Sequence, residues 1–275
     1  MKQCKLCHSS TELQLSHIVP KFVYSWMKKS GTGRFRQLKK LNKPIQDGIK
    51  KYLLCEECEK KIAQKEKWFK ENLFESYLNA PKTQFTNNPA LFYFAISVLW
   101  RVLIYFKDDG NQYYFKKELD LAEKEWRAFL LKGVPLKLFQ NIHFIFIPEE
   151  FDIRSNVKNL YSYFHRTVDL EIVESDQKSF VYAKFSRFIL IGEIFGITES
   201  DFIGTNLNLI EALIPSTQEI KDSDVVDFML SRVTRIKSYE DLSPNQQQQN
   251  DNYYKEKLDR IKNSDYWNVL KKDTK

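Results

Sequence analysis

Four cysteines stand in two pairs of identical spacing, Cys4-Lys5-Leu6-Cys7 and Cys55-Glu56-Glu57-Cys58, and the chain has no others. A Cys-x-x-Cys turn presents two thiolates to one metal, and two such turns complete a tetrahedral sulfur site. The expected ion is Zn²⁺. Four thiolates leave it no open position, so its expected role is structural. The pairs are far apart in sequence, so the intervening fold must bring them together. Met1-Lys2-Gln3-Cys4 runs straight into the first pair with no apolar stretch after it, so no secretory leader is expected. A reducing cytoplasm suits thiolate–metal chemistry better than disulfides.

Charge adds a second chemistry to the same segment. Of a net +7, residues 1–70 carry 17 Lys/Arg against 6 Asp/Glu, or +11, which leaves −4 for the rest. Lys28, Lys29, Arg34, Arg36, Lys39, Lys40 and Lys43 cluster there, interleaved with Phe22, Tyr24, Trp26 and Phe35. That mixture suits a groove that contacts the phosphates of a nucleic acid and reads bases little. The plainer alternative is a solvated, lysine-rich surface loop.

The elements that must position these groups are legible in outline. Glu12–His17 alternates like a short strand, Pro20 opens a helix through Met27, and Ser30–Gly33 breaks it. Residues 34–43 are basic without clear periodicity, Gln46-Asp47-Gly48 reads as a turn, and Ile49–Leu54 reads as a second strand. Glu56–Phe74 has helical spacing. Two longer helices follow, over 88–106 and 113–132, with Gly133 as the stop of the second. Residues 89–106 are apolar enough to raise a membrane span, but Arg101 lies inside the run and it falls short of the ~20 residues needed, so a buried core helix is expected. Strands are expected near 141–147, 168–173 and 179–194, and helices over 225–236 and 253–267. Residues 243–251, polar and Gln-rich, read as a surface loop or linker. The fold class is α+β, with a zinc-stabilised module over residues 1–78 and an α+β region of unassigned role over 79–275, built on a small antiparallel sheet with helices. His143, in an apolar strand, reads as a core histidine. His165 beside Arg166 is a weaker candidate for phosphate contact.

The order of these features resembles the HNH endonucleases, a ββα-metal family. In zinc-bearing members a CxxC precedes a strand ending in histidine, an aliphatic pair and proline, and a second strand then enters LCxxC and a helix. His17-Ile18-Val19-Pro20 and Leu54-Cys55-Glu56-Glu57-Cys58 match that frame over about residues 1–70. The resemblance implies phosphodiester hydrolysis with His17 as general base and one divalent cation, Mg²⁺ or Mn²⁺. The sequence departs from the pattern at three places: Ser16 stands where an acid or histidine precedes the base, Lys50 falls near an expected asparagine, and Glu59 replaces the His or Asn after the second knuckle. Glu59 and Asp47 are hard oxygen donors that could serve the cation instead, with Glu66 two turns further along the Glu59 face. The phrases LSHIVPKFVYSWMK, QDGIKKYLLCEECEKKI and FAISVLWRVL also resemble uncharacterised bacterial proteins with an HNH-like zinc module, which implies a bacterial protein and, by analogy, a role in defence.

Each of these residues has a bland reading. His17 could pack at a strand–helix corner, Glu59 could be a solvated helix residue among lysines, and Asp47 could simply form a turn. The rival to a nuclease is therefore a catalytically degenerate zinc module that binds nucleic acid or a protein partner. A third reading puts the activity in the carboxy-terminal region. Oligomeric state and the choice between DNA and RNA stay open, and no membrane partner is expected.

Overall fold

The computed structural model describes residues 2–33, 35–37, 40–45, 47–79, 85–151, 157–210, 212–215, 217–236 and 242–274; of 35–37, 40–45 and 199 only the backbone is described. The chain mixes helices with small antiparallel sheets.

Strands β1 (Lys2–Gln3) and β2 (Ser10–Thr11) pair around the first cysteine turn. Strand β3 (Gln14–His17) leads through Ile18 and Val19 to helix α1 (Lys21–Lys29), with Pro20 immediately before its first turn. A further antiparallel pair, β4 (Phe35–Gln37) and β5 (Lys40–Ile45), falls on the basic stretch that is aperiodic in sequence. Strand β6 (Lys50–Leu54) pairs with β3, placing His17 opposite Lys50, Ser16 opposite Lys51 and Leu15 opposite Tyr52. Helix α2 (Glu56–Phe69) starts at Cys55, and three glutamates in its first turn favour the positive end of its dipole. A π-helical turn, Lys70–Phe74, joins it to α3 (Glu75–Asn79) and keeps Leu73 and Phe74 buried.

Strand β7 (Phe85–Asn87) precedes α4 (Pro89–Lys107), whose start is fixed by Pro89 and by the Asn88 side chain, which accepts from the N–H groups of Ala90 and Leu91. Helix α4 is long and apolar enough to cross a membrane by composition, yet 72% of that window is buried inside the protein. Helix α5 (Lys116–Lys132) buries Leu119, Ala122, Trp126 and Leu130 along one stripe. It ends at Gly133, whose φ of +70° is the left-handed conformation glycine adopts without a Cβ penalty.

The remaining elements are β8 (Ile142–Phe146), α6 (Leu160–Arg166), β9 (Val168–Glu174), β10 (Ser179–Phe185), β11 (Phe188–Phe195), β12 (Phe202–Ile203), β13 (Asn206–Leu207), β14 (Ala212–Ile214), β15 (Glu219–Ile220), α7 (Ser223–Val233), α8 (Pro244–Glu256), α9 (Leu258–Lys262) and α10 (Asp265–Asp273). Five strands form one antiparallel sheet in the order β13-β8-β11-β10-β9. Helices cover both of its faces, which explains why β10 is buried along its whole length. Val181, Ala183 and Phe185 join the core that holds α4, and Phe180 and Tyr182 join a second core with Tyr163 of α6 and Val225 and Met229 of α7.

The Gln-rich stretch is helical, contrary to the loop expected over 243–251. Glutamine is a good helix former once tertiary contacts hold the segment. Here Tyr253 anchors α8 by donating to the Thr32 carbonyl at 2.5 Å. His143 is a core residue, held between Thr205 Oγ1 at 2.9 Å and Glu193 Oε1 at 2.6 Å. His165 is buried too, and one ring nitrogen meets the Pro148 carbonyl at 3.0 Å. Burial and the nearby Arg187 push its pKa down to about 3, so the ring offers no positive charge near neutral pH.

The amino-terminal segment and the five-stranded sheet share one core. Cys4, Ile18 and Leu54 belong to the same buried cluster as α4 and the sheet, which spans the sequence boundary at 78/79. Phe69 is its hub, stacked on Phe94 at 3.9 Å and edge-on to Phe144, Phe185 and Phe188. Arg101 adds a polar tie. It is 2% exposed, donates to Ser97 O at 3.0 Å and to His17 O at 2.8 Å, and pairs with Glu66 at 2.7 Å. Removing one partner of a buried pair leaves the other charge uncompensated. Arg101→Leu is therefore expected to cost about 3 kcal/mol in urea unfolding, and Arg101→Leu with Glu66→Leu should recover part of that loss.

Candidate metal centre and the histidine site beside it

The four sulfurs meet. All Sγ atoms of Cys4, Cys7, Cys55 and Cys58 lie within 4.8 Å of one another, and Cys7 Sγ is 3.6 Å from Cys55 Sγ. A tetrahedral zinc with bonds of about 2.3 Å sets its sulfurs about 3.8 Å apart. A disulfide needs about 2.05 Å, so the spacing fits a metal ion and not a bridge. Main-chain bonds weld the knuckles: Lys5 N–H donates to Leu53 O at 3.0 Å, and Cys55 N–H donates to Cys4 Sγ at 3.3 Å. The four cysteines can thus hold a metal ion such as zinc.

The thiols are unequal. Burial pushes Cys58 well up, with the adjacent sulfurs adding to it, and burial also raises Cys4. At Cys7 burial works the same way but is outweighed by the Ser9 hydroxyl, 2.9 Å away, and the Ser9 main chain, bringing it down to about 6. Four thiolates this close cannot ionise together without a cation among them, so metal uptake displaces protons.

One strand away lies a second cluster. Strand alternation sends Ser16 and His17 to opposite sides of β3. His17, 16% exposed, points its Nε2 at Asp47 Oδ2, 3.1 Å away and off the line of a strong hydrogen bond. Asp47 also takes Lys50 Nζ at 2.8 Å and the Gly48 N–H at 2.9 Å. Burial opposes ionisation of Asp47, but the bonds from Lys50, Gly48 and His17 prevail and hold its carboxyl at about 2. Tyr24, buried, flanks the histidine with ring centroids 6.3 Å apart. Its ring passes so close to Gly48 that a Cβ there would lie 2.1 Å from two ring carbons, which is why the turn carries glycine.

On the other side of β3, the buried Ser16 hydroxyl donates to Glu59 Oε2 at 2.5 Å. Glu66 is bound to Arg101. The three acids therefore go to three different partners. His17 and Asp47 are brought together, and Glu59 is not brought into that pair. Among the described residues the cysteines are the one His/Cys/Asp/Glu group gathered tightly enough to hold a metal.

Of the basic residues, Lys28 and Lys29 sit at the far end of α1, where Arg260 donates to Lys28 O and Lys29 lines a groove with α9 and α10. Arg34 and Lys39 lie outside the described residues, as do the side chains of Arg36 and Lys40. Two residues that sequence reasoning did not assign to the site belong to it. Lys50 was read only as a departure from a motif, although pairing β3 with β6 puts it opposite His17. Arg101 fixes the His17 carbonyl from a helix far away in sequence, and its one signal was a charge inside an apolar run.

Compared with protein-family models, curated proteins and solved structures, the chain gives no match.

Two outcomes follow from this geometry. Elemental analysis should find one zinc per chain, and Cys58→Ser should lose it with a lower melting temperature than the parent. Asp47 has a folded pKa below its ordinary 3.8, so its contribution to stability is present above about pH 4 and fades as pH falls toward 2. Acid unfolding of Asp47→Asn should accordingly be flatter than that of the parent across that interval.

Proposed function

We propose that the amino-terminal module is a zinc-ordered, HNH-type endonuclease that hydrolyses phosphodiester bonds in nucleic acid, with His17 as the general base. The observation that carries this reading is the His17–Asp47 pair beside Lys50 at the carboxy-terminal end of β3. Asp47 stays ionised beside Nε2, and a small turn of the ring would let the Nε2–H donate to it and leave the lone pair on Nδ1. Nδ1 takes a proton from water, the resulting oxygen attacks phosphorus, and the bond to the leaving oxygen breaks. Asp47 then faces a cationic imidazole that it stabilises, and Lys50 adds positive charge on the same face. The excess of Lys and Arg in this segment favours a polyanionic substrate.

The family chemistry also calls for Mg²⁺ or Mn²⁺, which would lower the charge on the phosphate. Asp47 does not fit as its ligand, because both of its oxygens are taken. Glu59 does not fit either, because it lies on the other side of β3 from His17 and takes the Ser16 hydroxyl there.

A second reading is a binding module without turnover. The separate engagement of Asp47, Glu59 and Glu66 favours it. The test is nicking of supercoiled plasmid and cleavage of DNA and RNA oligonucleotides by the zinc-loaded chain with Mg²⁺, Mn²⁺ or Ca²⁺. His17→Ala should lose about 10²–10⁴-fold in rate, and Asp47→Asn should retain more than that variant. Full activity in His17→Ala removes the mechanism. Salt-dependent binding with no turnover under any metal leaves the second reading standing.

A further inference from the structure

Beyond the histidine, the outer side of the β3–β6 pair carries two large apolar side chains that the fold does not cover. Leu15 is 49% exposed and Tyr52 is 58% exposed, and they stand directly opposite each other in the register. Side chains two apart on a strand share a face, so Leu15 lies beside His17 and Tyr52 beside Lys50. The face reads as a square: His17 and Lys50 at one end, Leu15 and Tyr52 at the other, about 7 Å along the strands. The Lys2 ammonium lies over the Tyr52 ring, 5.4 Å from its centre, and must swing aside for a base to stack on that face. The inner side of the same strands is committed: Ser16 to Glu59, and Lys51 to Asp109 at 2.9 Å.

From this juxtaposition we infer that Tyr52, backed by Leu15, is a stacking platform for an unpaired base, and that the site takes single-stranded nucleic acid. This rests on the reading of His17 and Lys50 as the phosphate-facing end. An exposed aromatic ring on a sheet, flanked by cations, accepts any base through its π-face. A base inside a duplex is stacked on its neighbours and cannot reach the ring. The separation along the strands is one that a single nucleotide spans between its phosphate and its base. A protein partner fits less well, because a stable interface covers about 800 Å² per side and these two side chains rimmed by lysines supply little of that. The positive balance of the segment also favours the polyanion.

The test is fluorescence anisotropy on the full zinc-loaded chain, without added Mg²⁺ or Mn²⁺, using three labelled probes of one length: a mixed-sequence single-stranded oligonucleotide, its duplex, and a fully abasic strand. Tyr52→Ala should weaken the single strand about 5- to 150-fold and leave the abasic strand unchanged. Tyr52→Trp should restore binding, and the parent should prefer the single strand to the duplex. An equal loss on the abasic strand, no loss at all, or a duplex bound as tightly as the single strand would overturn the inference. The hydrolase reading fails separately. Binding that responds to Tyr52 with no cleavage under any metal sinks the nuclease and keeps the platform. Cleavage that is indifferent to Tyr52→Ala does the reverse.

Discussion

Closure of the amino-terminal segment rests on four sulfur atoms that electrostatics would keep apart. Thiols held this close resist joint ionisation, and a divalent cation reverses that preference. Bringing Cys4 and Cys7 to Cys55 and Cys58 also closes a long loop, at an entropic cost that grows only slowly with its length. The Lys5–Leu53 and Cys55–Cys4 bonds then fix how β6 enters the knuckle. Because that entry sets the pairing of β6 with β3, the sulfur cluster determines which residue stands opposite His17. A slip of one residue would carry Lys50 to the inner side and Lys51 to the outer one.

The inner side of the pair answers to a different constraint. Helix α4 brings a cation into an apolar core, and Arg101 is tolerated there because the Ser97 and His17 carbonyls accept from it and Glu66 balances its charge. A helix of the carboxy-terminal part thus holds the strand end that carries the histidine. The proposed chemistry has its base fixed from two directions, by Asp47 on the outer face and by Arg101 through the backbone.

Local pattern made much of this readable in advance. The cysteine spacing pointed to one sulfur site, and the sulfurs are together. The apolar run around Arg101 read as a core helix, and α4 is one. Residues 179–194 read as one strand or two and form the β10–β11 hairpin. What stayed hidden depends on tertiary pairing. Asp47 read as a turn residue or as a carboxylate clustered with His17 and Glu59, and the direct contact with the ring, without Glu59, depends on the closed turn against Tyr24. Glu59 read as a cation ligand, while its contact with Ser16 depends on how α2 lies against β3. The helix at 244–256 was missed because glutamine and asparagine carry no apolar stripe, and its anchor, Thr32, is remote in sequence.

The aromatic hub has a bearing on how the chain is made. Phe69 is synthesised before its partners Phe94, Phe144, Phe185 and Phe188. The nascent knuckles could capture an ion while Phe69 is covered only by Phe22 and Phe74. Until residue 188 has been synthesised, α2 presents that ring without its full shell to water and to chaperones. Early metal capture would shorten the disordered length of chain during this wait, and a cell starved of the ion would meet the exposed ring on a much looser polypeptide.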